Sequence, residues 1–396
     1  MQIPEAAEEI IRKLNQAGYE AYVVGGCVRD TLLGRQPEDW DITTSAKPEQ
    51  VKAIFGRTID TGIQHGTVTI MRGKAGFEVT TYRIDGEYED GRHPKSVEFT
   101  SNLVEDLKRR DFTINAMAYS HETGLVDVFG GMDDLQQKRI RCVGSPKDRF
   151  TEDALRILRA VRFSAQLGFE IEPGTRQAIT KIAPNLVHVS KERIQVELTK
   201  LLLSDNPDYI RKVFETGISP YITPGFDRVP AADIAVSSSL PPEKALRWAS
   251  FLRLVDEKTA VGILKDLKMD NDTISKTETL VSWWNRPIPA SKPEIRRIMS
   301  QMSPELYDNL LLLKQSAGHA DAEPLKEVMI LSDDIRRAKD CISLKTLAVT
   351  GKDLIEAGMK PGRELGALLN HMFDQVLEHP ECNTKEYLLT EFVNRQ

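Results

Sequence analysis

The chain has 396 residues, enough for about two to four domains at ~150 residues each. With 40% hydrophobic and 28% charged residues it has the balance of a globular protein with a sizeable core, which excludes a collagen-like, mucin-like or largely disordered chain. Its 53 Lys and Arg against 59 Asp and Glu give a net charge of -6, opposite in sign to a protein that coats nucleic acid by bulk charge.

No apolar run approaches the ~20 residues of a membrane span, so no membrane partner is expected. The opening MQIPEAAEEIIRKL is acidic and amphipathic, unlike a secretory signal. Cys27, Cys142, Cys341 and Cys382 are scattered, with no C-x-x-C pair. Neither a disulfide scaffold nor a zinc site is expected, and a reducing cytoplasm is the expected location.

In chain order, residues 4–17 place Ala7, Ile10, Ile11 and Leu14 at helical spacing. Residues 19–24 read as a strand that runs into Gly25-Gly26. A short helix over 27–33 follows, closed by Gly34. Residues 39–43 read as a second strand and 47–55 as a helix. Strands over 67–71 and 77–82 flank Arg-Gly-Lys-Ala-Gly, a hairpin signal. The polar run from Asp85 to Pro94 reads as a loop. From about residue 146 strand alternation fades and helical periods dominate, at 154–167, 193–203 and 242–254, with Pro-rich breaks near 219–230 and 287–293.

The strongest local signal is Gly25-Gly26-Cys27-Val28-Arg29-Asp30 followed by Asp39-Trp40-Asp41. Carboxylates at i and i+2 of a strand share a face and repel, so a cation normally accounts for them. Hard oxygen ligands suit Mg²⁺, which keeps waters and bridges phosphates. A pair of such ions can activate an attacking oxygen and neutralise a leaving pyrophosphate. The Gly-Gly turn lets backbone approach a phosphate at a helix start, and Arg29 can clamp it. Each feature alone has an ordinary reading, a solvated strand edge or a plain turn. Together across a strand–helix–strand unit they point to nucleotide chemistry.

Arg109, Arg110 and Asp111 close a helical pattern that includes Leu103 and Leu107. They read either as a cationic helix end or as a second phosphate contact. Thr151, Glu152 and Asp153 read as a helix start with acids in its first turn. Glu152, Arg156 and Arg159 then share one face, and Asp153 and Arg156 are i, i+3 neighbours. From Lys147 to Arg162 five cations stand against three acids, a local excess in an acidic chain. Glu78 and Asp111 are weak candidates for a third carboxylate. His65 and His93 read as ordinary polar contacts.

In this order, the motifs at 25–30, 39–41, 109–112 and 152–156 closely resemble those of the bacterial class II CCA-adding tRNA nucleotidyltransferases, within the DNA polymerase beta nucleotidyltransferase superfamily. The segment from Thr350 to Gly362 is similar to that family's tail motif. The resemblance implies an α+β N-terminal nucleotidyltransferase head, a mixed sheet with helices, followed by an all-α neck, body and tail, over 1–145, 146–210, 211–300 and 301–396. It implies that Asp39 and Asp41 are catalytic and hold Mg²⁺. It implies that Gly26, Arg29, Arg110, Asp153, Arg156, Arg159 and Arg162 contact the nucleotide. Its substrates would be CTP, ATP and the 3′ end and acceptor arm of tRNA; a homodimer is left open. A loop like that from Asp85 to Arg92 accompanies relatives that add the final A.

The resemblance also implies that Asp153 and Arg156 read the base in place of a template. A carboxylate only accepts hydrogen bonds and a guanidinium only donates. Cytosine and adenine both offer an amine donor beside a ring-nitrogen acceptor, whereas uracil and guanine offer a carbonyl and a ring N–H. Two mismatches at ~1–3 kcal/mol each give roughly 10²- to 10⁴-fold discrimination.

A poly(A) polymerase or a partial CC- or A-adding enzyme shares the head and neck motifs and is the nearest alternative. A non-catalytic tRNA-binding protein is another, though intact Asp39 and Asp41 speak against it. None of the seven histidines is followed by Asp, so an appended His-Asp hydrolase is not expected. The net charge permits an RNA partner because arginines collect locally, in the neck, at Arg109-Arg110, and at Arg296-Arg297 and Arg336-Arg337. Binding by a few phosphate contacts is expected.

Overall fold

The computed structural model describes residues 1–86, 97–230, 238–316 and 322–393. Most of the polar loop read from Asp85, and with it His93, therefore lies outside the described residues. Helix α1 (Glu5–Gln16) buries the expected stripe of Ala7, Ile10, Ile11 and Leu14. It precedes β1 (Ala21–Val24), α2 (Gly26–Leu32), β2 (Ile42–Thr44), α3 (Pro48–Ile54), β3 (Thr58–Gly62), β4 (Thr67–Arg72) and β5 (Ala75–Thr81). Next come β6 (Arg83–Asp85), β7 (Val97–Phe99), α4 (Leu103–Lys108), β8 (Ala118–Ser120), β9 (Gly124–Val126), α5 (Gly131–Gln136) and β10 (Arg139–Ile140).

Seven strands form one sheet in the order β3-β4-β5-β2-β1-β8-β9. The β2–β5 pair is parallel and the others are antiparallel, so the sheet is mixed, as expected. β1 and β2 are buried along their whole length; β1, Ala-Tyr-Val-Val, accordingly reads as an apolar run rather than as alternation. The β4–β5 hairpin turns at Gly73-Lys74, with Gly73 at φ +62°. Tyr22, Val24, Tyr82, Leu103, Leu107, Ala116, Ala118 and Val143 form an apolar core between the sheet and α4.

Helices then dominate: α6 (Pro146–Glu152), α7 (Leu155–Leu167), a short β11 (Glu170–Ile171) paired with β10, α8 (Pro173–Ile182), α9 (Lys191–Leu202) and α10 (Arg211–Glu215). The remainder is α11 (Lys244–Leu252), α12 (Glu257–Asp266), α13 (Asn271–Trp284), α14 (Lys292–Ser300), α15 (Pro304–Ser316), α16 (Ala322–Ala338), α17 (Gly351–Glu356), α18 (Arg363–Glu378) and α19 (Lys385–Phe392). The chain divides into two compact units. One is Met1–Ser238 with Gly262–Met269; the other is Ser239–Val261 with Asp270–Gln396. The first unit thus contains both the sheet and the helices up to α10.

Two local readings need correction. The strand read over 39–43 begins only at Ile42; Asp39 and Asp41 lie in the irregular segment before it. The Asp41 carbonyl still accepts from the Val24 N–H at 3.0 Å, so its backbone stays tied to β1. The helix read from Thr151 is two helices. Ser145 caps α6, which has Pro146 at its first position, and α6 ends at Glu152. Asp153 is extended (φ -144°, ψ 102°), and its carboxylate accepts from the Leu155 N–H at 3.1 Å as α7 begins.

In the second unit the tail motif closes on a capping box. The Thr350 hydroxyl and the Asp353 carboxylate satisfy each other's backbone amides at the start of α17. Trp284 is buried and Trp283 is half-buried beneath the Arg286 guanidinium. Of the basic pairs read as RNA contacts, Arg296 is buried. It donates to the carbonyls of Leu377 (2.6 Å) and Glu378 (3.0 Å), and to Asp340 (2.8 Å). It caps the end of α18 rather than facing solvent. Arg297 pairs with Glu294 and Glu378, Arg336 with Asp308 and Arg337 with Asp334. Arg296→Ala leaves Asp340 and two helix-end carbonyls unmatched. It is expected to lower stability by about 3 kcal/mol in urea unfolding while leaving the strength of tRNA binding to the folded protein unchanged.

Candidate active site

A cleft of about 470 Å³ in the first unit is lined by Gly25, Gly26, Arg29, Asp41, Arg109, Arg110, Asp111, Asn115, Asp153, Arg156, Arg159, Arg162 and Phe163. Eight of the nine residues predicted from the sequence are on that wall; the ninth, Asp39, lines a chamber beside it. Gly26, Arg29, Asp41 and Arg162 line both spaces, so the carboxylate pair stands near their seam.

The glycine turn has a steric basis. Gly25 sits at φ +81°, and a Cβ there would also meet the Arg110 Nη1 at 3.1 Å. Arg29, one turn into α2, grips Asp30 through Nε and Nη2 (2.9 Å each) and donates from Nη1 to Asn115 at 2.7 Å. Asn115 in turn donates to Asp111 at 3.2 Å. Asp111 also binds Arg159 at 2.7 Å. Burial by itself would raise the Asp111 carboxyl, but Arg159 and Arg156 outweigh it and hold the group at about 2.

Asp106 plays the same part for the second arginine pair. It is fully buried, pairs with Arg109 (2.8 Å) and Arg110 (3.4 Å), and accepts the Thr43 hydroxyl at 3.2 Å. Glu197 of α9 binds Arg162 at 2.5 Å and lies 3.9 Å from Arg159. The Phe163 ring lies beneath three guanidiniums, with centroid distances of 5.0 Å to Arg29, 5.3 Å to Arg159 and 3.9 Å to Arg162.

The expected contact partners Asp153 and Arg156 are both in the wall, but each is held from elsewhere. Asp153 binds Arg193 of α9 at 2.7 Å. Arg156 binds Glu152 at 2.7 Å and donates to the backbone carbonyls of Arg149 and Arg109 at 3.2 Å each. Sequence reasoning missed Asn115, Phe163, Arg193 and Glu197. Arg193 and Glu197 show the i, i+4 helical spacing of a shared face, but nothing in the sequence reveals what that face meets.

The acidic end of the cleft fits a cation. Partial desolvation pushes the Asp41 carboxyl up, and Glu78 and Asp39 push it further, against the pull of Arg110. Glu78 precedes Val79, the register partner of Ile42, so it stands across the sheet from Asp41. Among the described residues no three His, Cys, Asp or Glu side chains form a metal cage by themselves. Two aspartates that leave the remaining positions to water and phosphate oxygens match a divalent metal of the Mg²⁺ type.

Three family models match the chain. Residues 21–141 match "Poly A polymerase head domain", 168–229 match "Probable RNA and SrmB- binding site of polymerase A", and 241–392 match the tRNA nucleotidyltransferase domain 2 model. The CCA-adding enzyme of Lacticaseibacillus paracasei is 40% identical over 97% of this chain and 95% of its own length. The chain belongs to the CCA-adding enzyme family. The CCA-adding enzyme of Geobacillus kaustophilus is 36% identical over 99% and 97% of the two chains. Among solved structures, the Bacillus stearothermophilus CCA-adding enzyme in complex with CTP superposes with a TM-score of 0.82 at 33% identity. That match covers all of this chain and 98% of the other. The Thermotoga maritima CCA-adding enzyme complexed with tRNA shares the fold, with a TM-score of 0.67 at 22% identity, covering 100% and 96%. The likeness to CCA-adding enzymes is near full length, whereas the models named for poly(A) polymerase match only residues 21–141 and 168–229. Nucleotidyltransferases of this kind generally use a divalent metal. Among the described residues no helix is long and apolar enough to cross a membrane.

Four thiols are free; Cys27 and Cys142 are buried beside the site. Burial together with the Asp41 charge pushes the Cys27 thiol up to about 11. Burial together with Asp111 pushes Cys142 up to about 12.

The depressed Asp111 carboxyl has a consequence for acid stability. Its folded value lies below the ordinary 3.8, so its contribution is present above that pH and is lost as pH falls toward about 2. Asp111→Asn is expected to be less stable at neutral pH. Its urea midpoint should also depend less steeply on pH in that window than the wild-type midpoint does.

Proposed function

We propose that the chain adds C, C and A from CTP and ATP to the 3′ end of tRNA without a template and with Mg²⁺, releasing pyrophosphate at each step. The observation that carries this reading is one cleft holding the Gly25-Gly26 turn, six arginines and Asp41 together with the candidate base reader Asp153. In this reading Gly26, Arg29 and Arg110 receive the triphosphate. Arg159 and Arg162, fixed over Phe163, complete its charge match. Asp153 and Arg156 take the base edge, accepting the exocyclic amine and donating to the ring nitrogen. Asp39 and Asp41 would hold the metal, which when bound lowers the cost of deprotonating the tRNA 3′-hydroxyl and stabilises the departing pyrophosphate. The hydroxyl attacks the α-phosphate, and the bond to the β-phosphate bridging oxygen breaks.

The head, neck, body and tail divide at 145, 210 and 300 in this reading. The first unit supplies the chemistry, and the acceptor arm of tRNA is the partner of the later helices. Free, scattered cysteines support action in a reducing cytoplasm.

The decisive experiment supplies tRNA ending before C-C-A with each nucleotide separately and together, and reads product length. Three added residues with CTP plus ATP are expected. A long A tail, or arrest after C-C, would contradict the reading. Asp39→Ala is expected to abolish all three additions, by at least about 10³-fold, with tRNA affinity nearly unchanged in a filter-binding assay.

A further inference from the structure

The base-facing carboxylate is held from behind. Asp153 stands in extended backbone at the break between α6 and α7, where its Oδ1 accepts the Leu155 N–H at 3.1 Å. Arg193 then reaches across from the first turn of α9. Its Nη2 donates to Oδ2 at 2.7 Å and its Nη1 to Oδ1 at 3.4 Å. Asp153 lines the cleft and Arg193 does not. The two side chains are only 15% and 23% exposed.

One N–H on one oxygen leaves a carboxylate free to rotate. A planar fork on both oxygens removes that freedom and keeps the group an acceptor. With Oδ1 taken by Leu155 and Arg193, the unshared lone pair of Oδ2 is the acceptor available to a ligand. Four residues on, Glu197 on the same face of α9 holds Arg162. This face therefore anchors cleft groups of both signs.

We infer that Arg193 is a positioning residue for base selection: it fixes the rotation of the Asp153 carboxylate so that one acceptor lone pair meets the amine of cytosine or adenine. The inference rests on the reading of Asp153 as base reader. An unanchored carboxylate turns away from the carbonyl of uracil and tolerates it. Discrimination is then lost before the chemistry is.

The test uses the full chain, a tRNA lacking C-C-A, and single-nucleotide incorporation with CTP, ATP, UTP or GTP. Arg193→Ala is expected to lower the preference for CTP over UTP by about tenfold to a hundredfold. The KM for CTP should rise more than kcat falls. Arg193→Lys keeps the charge but not the fork. It should restore the melting temperature without restoring selectivity, and it carries the test should the alanine variant fail to fold. In a double-mutant cycle, Asp153→Ala with Arg193→Ala should be no less selective than Asp153→Ala alone. Wild-type selectivity in Arg193→Ala, full rescue by lysine, or additive losses would each overturn the role of Arg193. A wild-type enzyme that accepts UTP as readily as CTP would overturn the base-reading assignment itself.

Discussion

The first unit is organised around a single electrostatic problem. Arg29, Arg109, Arg110, Arg156, Arg159 and Arg162 line one small cleft. Six guanidiniums so close would repel one another and drive the cleft open. Asp106, Asp111 and Glu197 are buried in its wall and each ties down a pair of them. Asp30 on Arg29, Glu152 from α6 on Arg156 and the face of Phe163 do the rest. A carboxylate buried alone would be costly. Here each one is matched by two cations, so the acids stabilise the fold and leave positive charge for a phosphate chain.

This arrangement also accounts for the negative total charge. Many acids are internal counter-ions to a cationic site, and the arginine pairs of the second unit are saturated in the same way. Net charge thus says little about where a polyanion is met. Where the guanidiniums gather decides that, and in the first unit six of them line one cleft.

Much of this was legible in the sequence because it was local. Helix α1, the β4–β5 hairpin and the glycine turn before α2 follow from periodicity and turn chemistry within a dozen residues. The site residues could be named because their spacing repeats that of a known family. What stayed hidden was pairing at long range. Asp153 and Arg156 are natural i, i+3 partners, yet each is claimed by a group nearer in space, Arg193 forty residues away and Glu152 on the preceding helix. The break at Asp153 escaped because Thr151-Glu152-Asp153 is itself a plausible helix start. The competing Ser145-Pro146 start, six residues earlier, won. The short strand at Ile42 escaped for a related reason: a D-x-D pair reads as strand by alternation, but the chain joins the ladder only after it, leaving Asp41 on the cleft wall and Asp39 on the chamber beside it.

The thiols flanking the site carry one more consequence. Peroxides and alkylating agents attack thiolates, not thiols. With Cys27 held at about 11 beside Asp41 and Cys142 at about 12 beside Asp111, almost no thiolate exists there at neutral pH. These two buried thiols therefore offer such reagents little nucleophilic sulfur next to the cleft.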